Sequence, residues 1–168
     1  DLLERGEDKV VAAAIKEGKS PKEISQYYTN IFFEDELALN ILPAEHHPRA
    51  TDHINEMLSL IESLLCKGYA YEVDGNVYYD VSKFPNYGAL SGNIYSNLIT
   101  GLRTDDDENK HNPQDFTLWK SAEKGRTLKW PSKWGDGFPG WHIECSAMSF
   151  KYLGDEFDIH TGGVDNIF

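Results

Sequence analysis

A strand-turn-strand pattern near the middle of the chain constrains the fold more than any other feature. In YAYEVDGNVYYDVSKF, apolar and aromatic residues alternate with polar ones on both sides of Asp74-Gly75. An Asp-Gly pair between two such runs favours a tight turn with positive φ angles. The sequence therefore predicts a β-hairpin. Its alternating residues are Tyr69, Tyr71 and Val73 before the turn, and Val77, Tyr79 and Val81 after it.

Helical patterns precede the hairpin. Ser20, Pro21 and Glu23 have the spacing of a capping box with proline at the first helical position. Apolar residues then recur at helical spacing, so one face of this helix is expected to pack. These residues are Ile24, Tyr27, Tyr28, Ile31 and Phe32.

A second helix is predicted between a break at Pro43 and Pro48 and a stop at Gly68. Its apolar stripe is typical of a helix that covers a core. Cys66 falls in its last turn, where we expect a half-buried side chain. The stripe consists of Ile54, Leu58, Ile61, Leu64 and Leu65.

The remainder of the chain alternates between polar and apolar stretches. Residues 91–126 are polar and include the acidic run 105–108, which predicts a surface insertion with short elements. Residues 141–143 are expected to end a buried strand, residues 144–153 to form a helix stopped by Gly154, and FDIH to form a short strand. This order predicts an α/β fold, in which ligands bind at the carboxyl ends of the strands. His142, Cys145, His160, Gly162 and Gly163 would then lie at one edge.

Composition limits the class of protein. The formal net charge of −12 argues against a broad nucleic-acid-binding face on this part of the chain. Cys66 and Cys145 lie far apart and suggest no disulfide framework, which favours a reducing environment. No apolar run approaches the roughly 18 residues of a membrane span. We therefore expect a soluble, cytoplasmic protein without a membrane partner.

Cys145 allows three interpretations. At the start of a predicted helix, its thiolate would be favoured by the helix dipole. It could be a core cysteine, a nucleophile with His142 or His160 as base, or a zinc ligand. Zinc would need three further ligands, and the chain contains no CxxC or HxxxH.

A glycine-rich segment near the end of the chain also allows two interpretations. Gly162 and Gly163, followed by Asp165, could bind a nucleotide through backbone N–H groups and a carboxylate that accepts from ribose hydroxyls. An ordinary turn has the same composition.

Four stretches, in the same order and at similar separations, resemble cysteinyl-tRNA synthetase, a class I aminoacyl-tRNA synthetase. They are DVSKFPNYGALSG, NPQDFTLWK, GFPGWHIECSAMS and KYLGDEFDIHTGGVDNIF. The resemblance implies part of a Rossmann-like α/β catalytic domain split by a connective insertion. Residues 1–67 would end its first half and be mainly helical. Residues 68–128 would be the insertion with the hairpin, and residues 129–168 would start the second half.

The resemblance also implies a function and a site. The family activates cysteine with ATP and Mg²⁺ to cysteinyl-adenylate and transfers the cysteinyl group to cysteine tRNA. Cys145 matches one of four ligands of a zinc ion that holds the thiolate of the substrate. Trp141 and His142 match the cysteine pocket, and His142 and His160 match active-site histidines. The family's nucleotide-binding positions correspond in this chain to His160, Gly162, Gly163 and Asp165.

Two positions depart from the family pattern, which usually has arginine where this chain has Phe138 and glycine where it has Thr161. The HIGH and KMSKS motifs and the other three zinc ligands are expected in adjoining sequence. We therefore expect an internal fragment of the catalytic region that by itself neither activates cysteine nor holds zinc tightly.

Two alternatives remain. One is a cysteine-activating ligase of the mycothiol pathway, which transfers cysteine to an amino sugar. The other is a catalytically inert interaction module whose acidic insertion serves as the partner surface.

Overall fold

Residues 9–89 and 107–162 are described by the computed structural model of the protein. The chain divides into two units, Asp1–His47 and Pro48–Phe168. In the described ranges, no helix is both long enough and apolar enough to cross a membrane.

From residue 9 onward, the first unit contains two helices, α1 (Lys9–Glu17) and α2 (Pro21–Ala38). The capping box is confirmed at the start of α2. The backbone N–H of Glu23 donates to the Ser20 hydroxyl at 3.2 Å, and the Glu23 carboxylate accepts from the Ser20 N–H at 2.7 Å. These bonds satisfy donors that a helix start otherwise leaves unpaired, and Pro21 follows as the first helical residue.

The predicted packing of the apolar face of α2 is largely wrong within this unit. Ile24 is buried, but Tyr27, Tyr28 and Phe32 are each more than half exposed. At 1.5 Å per residue, α1 is about 14 Å long and α2 about 27 Å. The shorter helix therefore covers only part of the longer one.

In its described residues, the second unit combines two helices with a four-stranded sheet. The helices are α3 (Ile54–Cys66) and α4 (Trp141–Leu153); the strands are β1 (Ala70–Val73), β2 (Asn76–Tyr79), β3 (Phe116–Ser121) and β4 (Gly137–Pro139). Short 3₁₀ turns span Ala50–Asp52 and Val81–Lys83. The strands lie in the order β1-β2-β3-β4, and each neighbouring pair is antiparallel.

The hairpin and the second helix are confirmed. Asp74 and Gly75 join β1 to β2 with φ angles of 50° and 79°, the positive values that this turn requires. Helix α3 packs its apolar stripe into the core and ends just before Gly68. Cys66, its last residue, is exposed rather than half-buried.

The core lies between the two helices and the sheet. Its fully buried members are Met57 and Ile61 of α3, Val77 of β2 and Trp119 of β3. From α4, Ile143 and Ala147 complete it. The helix that carries the predicted site residues is therefore anchored on its inner face by apolar burial.

The polar stretch 91–126 is not only a surface insertion. It contains β3, which pairs with β2 on one side and β4 on the other and buries Leu118 and Trp119. Val77 and Tyr78 are consecutive in β2 and both are buried, which the simple alternation did not predict; the register between β2 and β3 shifts at this point. Part of the acidic run, residues 105–106, lies outside the described residues.

The order of elements near the end of the chain also differs from the prediction. Residues 141–143 form the first turn of α4, and the strand before them is β4. Residues 157–160 are not a strand; Phe157 and Ile159 are 41% and 79% exposed. Two apolar residues at alternate positions form no strand without a neighbouring ladder, and the described sheet contains only antiparallel pairs.

A buried carboxylate fixes the entry into β3. Asp115 is 2% exposed and accepts hydrogen bonds from the Tyr71 hydroxyl at 2.7 Å and from the backbone N–H groups of Val81 and Asn112, both at 3.0 Å. Burial, followed by the bond to Asp115, raises the pKa of Tyr71 far above its ordinary value, so its hydroxyl stays a donor. The carboxylate thus ties β1, the turn after β2 and the start of β3 together.

Candidate functional site

Helix α4 begins where the backbone of Gly140 lies directly against β3. The Gly140 N–H donates to the Leu118 carbonyl at 2.9 Å. A Cβ atom at this position would lie 1.9 Å from the carbonyl oxygen of Thr117. Because only glycine allows this approach, the Pro139-Gly140 pair determines where β4 ends and α4 starts.

The first turn of α4 places two aromatic rings of the predicted site together. The rings of Trp141 and His142 are stacked with centroids 4.1 Å apart. The His142 ring also meets the Phe116 ring edge to face at 5.0 Å. Phe116 in turn stacks on Tyr79 at 5.0 Å and on Tyr87 at 6.3 Å. His142 therefore lies at the end of an aromatic cluster built on β2 and β3.

Burial controls the charge of the site. Desolvation lowers the pKa of His142 below its ordinary value, which favours the neutral imidazole at neutral pH. Desolvation also raises the pKa of Glu144, and this disfavours its carboxylate. A neutral imidazole both donates and accepts a hydrogen bond, and it can therefore orient a polar ligand without adding a buried charge.

Cys145 lies one turn further along α4 and is exposed. Since α4 starts at Trp141, Cys145 is its fifth residue, past the first turn in which the helix dipole acts. The sequence predicted Cys145 at the start of a helix, whereas the structure places it one turn further along. Across the part of the chain that the structure describes, no group of three His, Cys, Asp or Glu residues could hold a metal ion.

The nucleotide-binding candidates are only partly described. His160 and Gly162 lie in the exposed segment that follows α4, and the His160 ring is 6.1 Å from the Phe157 ring. Gly163 and Asp165 lie outside the described residues. The convergence of these residues on His142 and Cys145 stays a prediction, but its premise of parallel strand ends is not met in the described sheet.

Several neighbours of the site were not predicted. Phe116 contacts His142, and Tyr79 and Tyr87 stack on Phe116 in turn. Phe116 lies within NPQDFTLWK, one of the stretches that resemble the family.

Phe138, one of the two departures from the family pattern, contacts a cation. The guanidinium carbon of Arg126 lies 3.4 Å from the centroid of its ring. A positive charge therefore stacks on the phenylalanine that occupies the position where the family usually has arginine.

The half-buried His142 predicts a pH-dependent stability. An unfolded chain binds a proton at this side chain below about pH 6.5, whereas the lowered pKa keeps the folded form neutral to lower pH. The contribution of His142 to the free energy of unfolding is thus fully present above pH 6.5 and is lost as the pH falls through the lowered pKa. In urea unfolding between pH 5 and 8, His142→Gln is expected to remove this loss.

Trp141→Phe is the matched control, because it alters the same ring stack without removing a titrating group. It is expected to shift the free energy of unfolding equally at every pH. An unchanged acid slope in His142→Gln would contradict the assignment of this loss to His142.

Comparison with known proteins places the chain in a family. Residues 5–168 match the family described as tRNA synthetases class I (C) catalytic domain. A cysteine--tRNA ligase of Desulfitobacterium hafniense is 51% identical over 162 residues, which is 96% of this chain and 34% of that relative. Similar enzymes of Thermus thermophilus and Pyrococcus furiosus are 50% and 51% identical, covering 98% and 96% of the chain.

The chain spans about a third of the length of these curated relatives, 34% in each of the three. The match begins before α1 and runs through the hairpin, the buried Asp115 and the whole of α4. The chain therefore belongs to the family of class I tRNA synthetase catalytic domains of the cysteine type.

Proposed function

We propose that the full-length protein containing this chain activates cysteine with ATP to cysteinyl-adenylate and transfers the cysteinyl group to cysteine tRNA. The names of the relatives support this activity. The observation that carries the proposal is the arrangement on α4, where the stacked Trp141 and His142 rings lie one turn before the exposed Cys145.

Zinc is the metal that suits this arrangement. Cys145 is exposed and is not in a disulfide, so its sulfur is accessible as a soft ligand. The described residues contain no complete ligand set. By resemblance to the family, the other three ligands would come from sequence beyond this chain. When bound, zinc would offer a coordination site for the substrate thiolate. Serine lacks such a soft donor, which supports selection of cysteine at the first step.

Trp141 and His142 would form the wall of the cysteine pocket. The aromatic cluster around Phe116 fixes the His142 ring, and burial holds it neutral. A fixed neutral imidazole can hydrogen-bond the amino acid without adding a charge beside its ammonium and carboxylate groups. The Trp141 ring excludes water from one side of the pocket. These roles concern binding and orientation of cysteine.

The nucleotide would bind at the segment after α4. His160 would contact the adenylate, while Gly162 and Gly163 would bring backbone N–H groups close to ATP. Asp165 would accept hydrogen bonds from ribose hydroxyls, and ATP would bring Mg²⁺ with its phosphates. Thr161 would add a side chain at the first position of this turn.

The domain plan is also a proposal. Residues 1–67 would complete the first half of a Rossmann-like domain, residues 68–128 would be the connective insertion, and residues 129–168 would begin the second half. The described sheet pairs β3 with β4 across the boundary at residue 128. We infer that the insertion is joined to the second half through this pairing.

The test is ATP–pyrophosphate exchange by the full-length protein with cysteine or serine as substrate. We expect exchange with cysteine, at least about 100-fold less with serine, and charging of cysteine tRNA with the activated amino acid. The isolated 168-residue chain is expected to show no exchange, because most ligands of the zinc site would be missing.

The outcomes separate the alternatives. Exchange without tRNA charging, but with transfer to an amino sugar, would support the mycothiol-type ligase. No exchange by the full-length, zinc-loaded protein would support an inert module. Exchange by the isolated chain would contradict the need for the additional segments.

A further inference from the structure

We propose that His53 is a positioning residue for the candidate site: by accepting a hydrogen bond from Tyr152, it holds α4 in the position at which Trp141, His142 and Cys145 meet the substrate. This inference rests on the proposed function. His53 lies between the 3₁₀ turn Ala50–Asp52 and the start of α3.

The hydrogen-bond partners of His53 determine its tautomer. Nδ1 lies 2.6 Å from the Arg49 carbonyl oxygen, and Nε2 lies 2.9 Å from the Tyr152 hydroxyl. A carbonyl oxygen can only accept, so Nδ1 carries the hydrogen and Nε2 accepts from the tyrosine. His53 is 4% exposed, which leaves little access for water to replace either partner. The ring is therefore fixed on one side by its own turn and on the other by α4.

Tyr152 lies near the end of α4, far from the site residues in sequence but on the same rigid element. Ten residues separate it from His142, which corresponds to about 15 Å along the helix axis. A helix moves largely as one body, so a shift or rotation at Tyr152 is transmitted to the first turns. A misplacement of about 1 Å can cost as much as 100-fold in rate.

The other contacts of α4 leave this role to His53. Gly140 fixes the point where the helix starts, and the apolar core holds the inner face. The ion pair between Lys151 and Glu56 joins the same end of α4 to α3, but it lies near the surface, with side chains that are 41% and 33% exposed. Exposed ion pairs contribute little rigidity. The bond between His53 and Tyr152 joins residues 99 positions apart and is a part-buried polar contact at this end.

The test uses the full-length protein with Tyr152→Phe, His53→Ala and His53→Gln. Tyr152→Phe keeps the ring, which lies 5.5 Å from His53, and removes only the hydroxyl. We expect the KM for cysteine in pyrophosphate exchange to rise about 2- to 10-fold, the equivalent of one neutral hydrogen bond. The KM for ATP is expected to rise as well, because the proposed nucleotide segment follows the end of α4 that carries Tyr152.

The double variant identifies the pair as the cause. His53→Ala with Tyr152→Phe is expected to raise the KM for cysteine no further than His53→Ala alone, because both changes remove one interaction. His53→Gln is expected to recover part of the loss, since its amide oxygen can accept from Tyr152. Lys151→Met is the control on the neighbouring residue and should leave both KM values unchanged.

Two results would overturn the inference. One is a lower melting temperature in Tyr152→Phe with no change in the KM for cysteine, which is the signature of a purely structural contact. The other is additive effects of the two single changes. A wild-type protein without cysteine-dependent exchange would instead overturn the proposed function, and this inference with it.

Discussion

Cys145→Ser in the full-length protein is expected to reduce zinc from about one ion per chain to nearly none. Cysteine-dependent pyrophosphate exchange is expected to fall at least about 100-fold, because loss of a residue that only supports a ligand already costs 10- to 100-fold. A serine hydroxyl is a harder donor than a thiolate and stays protonated at neutral pH. Elemental analysis and the exchange assay on the same preparation measure both effects.

The second cysteine provides the control. Cys66 is also exposed, but it ends α3 and belongs to no predicted site. Cys66→Ser should keep both zinc and activity. Full zinc retention in Cys145→Ser would remove this residue from the metal site, and the selection of cysteine through zinc would have to be assigned to other residues.

Gly140→Ala is expected to lower the free energy of unfolding by about 3 kcal/mol or more, the upper range for forced overpacking. The added methyl group would lie 1.9 Å from the Thr117 carbonyl oxygen, and a backbone atom of a central strand cannot move aside as a side chain can. The start of α4 would have to shift, which would also move Trp141 and His142. Urea unfolding of the purified chain measures the loss of stability.

Gly68→Ala separates the steric effect from the backbone effect. Gly68 has a φ of 76°, and nothing lies within 4 Å of an added Cβ. Its replacement should cost only about 1 kcal/mol, the strain of a left-handed conformation. Equal losses in the two variants would contradict the close approach of Gly140 to β3.

The elements that the sequence predicted well are those whose signals are local. The capping box at Ser20 and the Asp74-Gly75 turn are each determined by residues within four positions, and both are present. The stop of α3 before Gly68 is likewise local. These interactions form between neighbours in the chain and need no knowledge of the remaining fold.

The elements that were missed depend on distant partners. Strand β3 lies in a polar stretch and is a central strand only because β2 and β4 pair with it. The same reason explains the error at residues 157–160, where an apolar pattern finds no partner strand in the described sheet. At the site, the positions of Cys145 and His142 in the sequence could be identified, but the contact of His142 with Phe116 could not, since it requires the sheet.

The bonds to Asp115 have a consequence for how the protein can vary. The Val81 N–H donates to the Asp115 carboxylate at 3.0 Å, so the chain leaves the sheet after β2 and returns before β3 at a single point. Because both ends of this connection meet at the Asp115 carboxylate, the pairing of β2 with β3 that supports α4 is fixed at this point, whatever the length of chain that separates Val81 from Asp115.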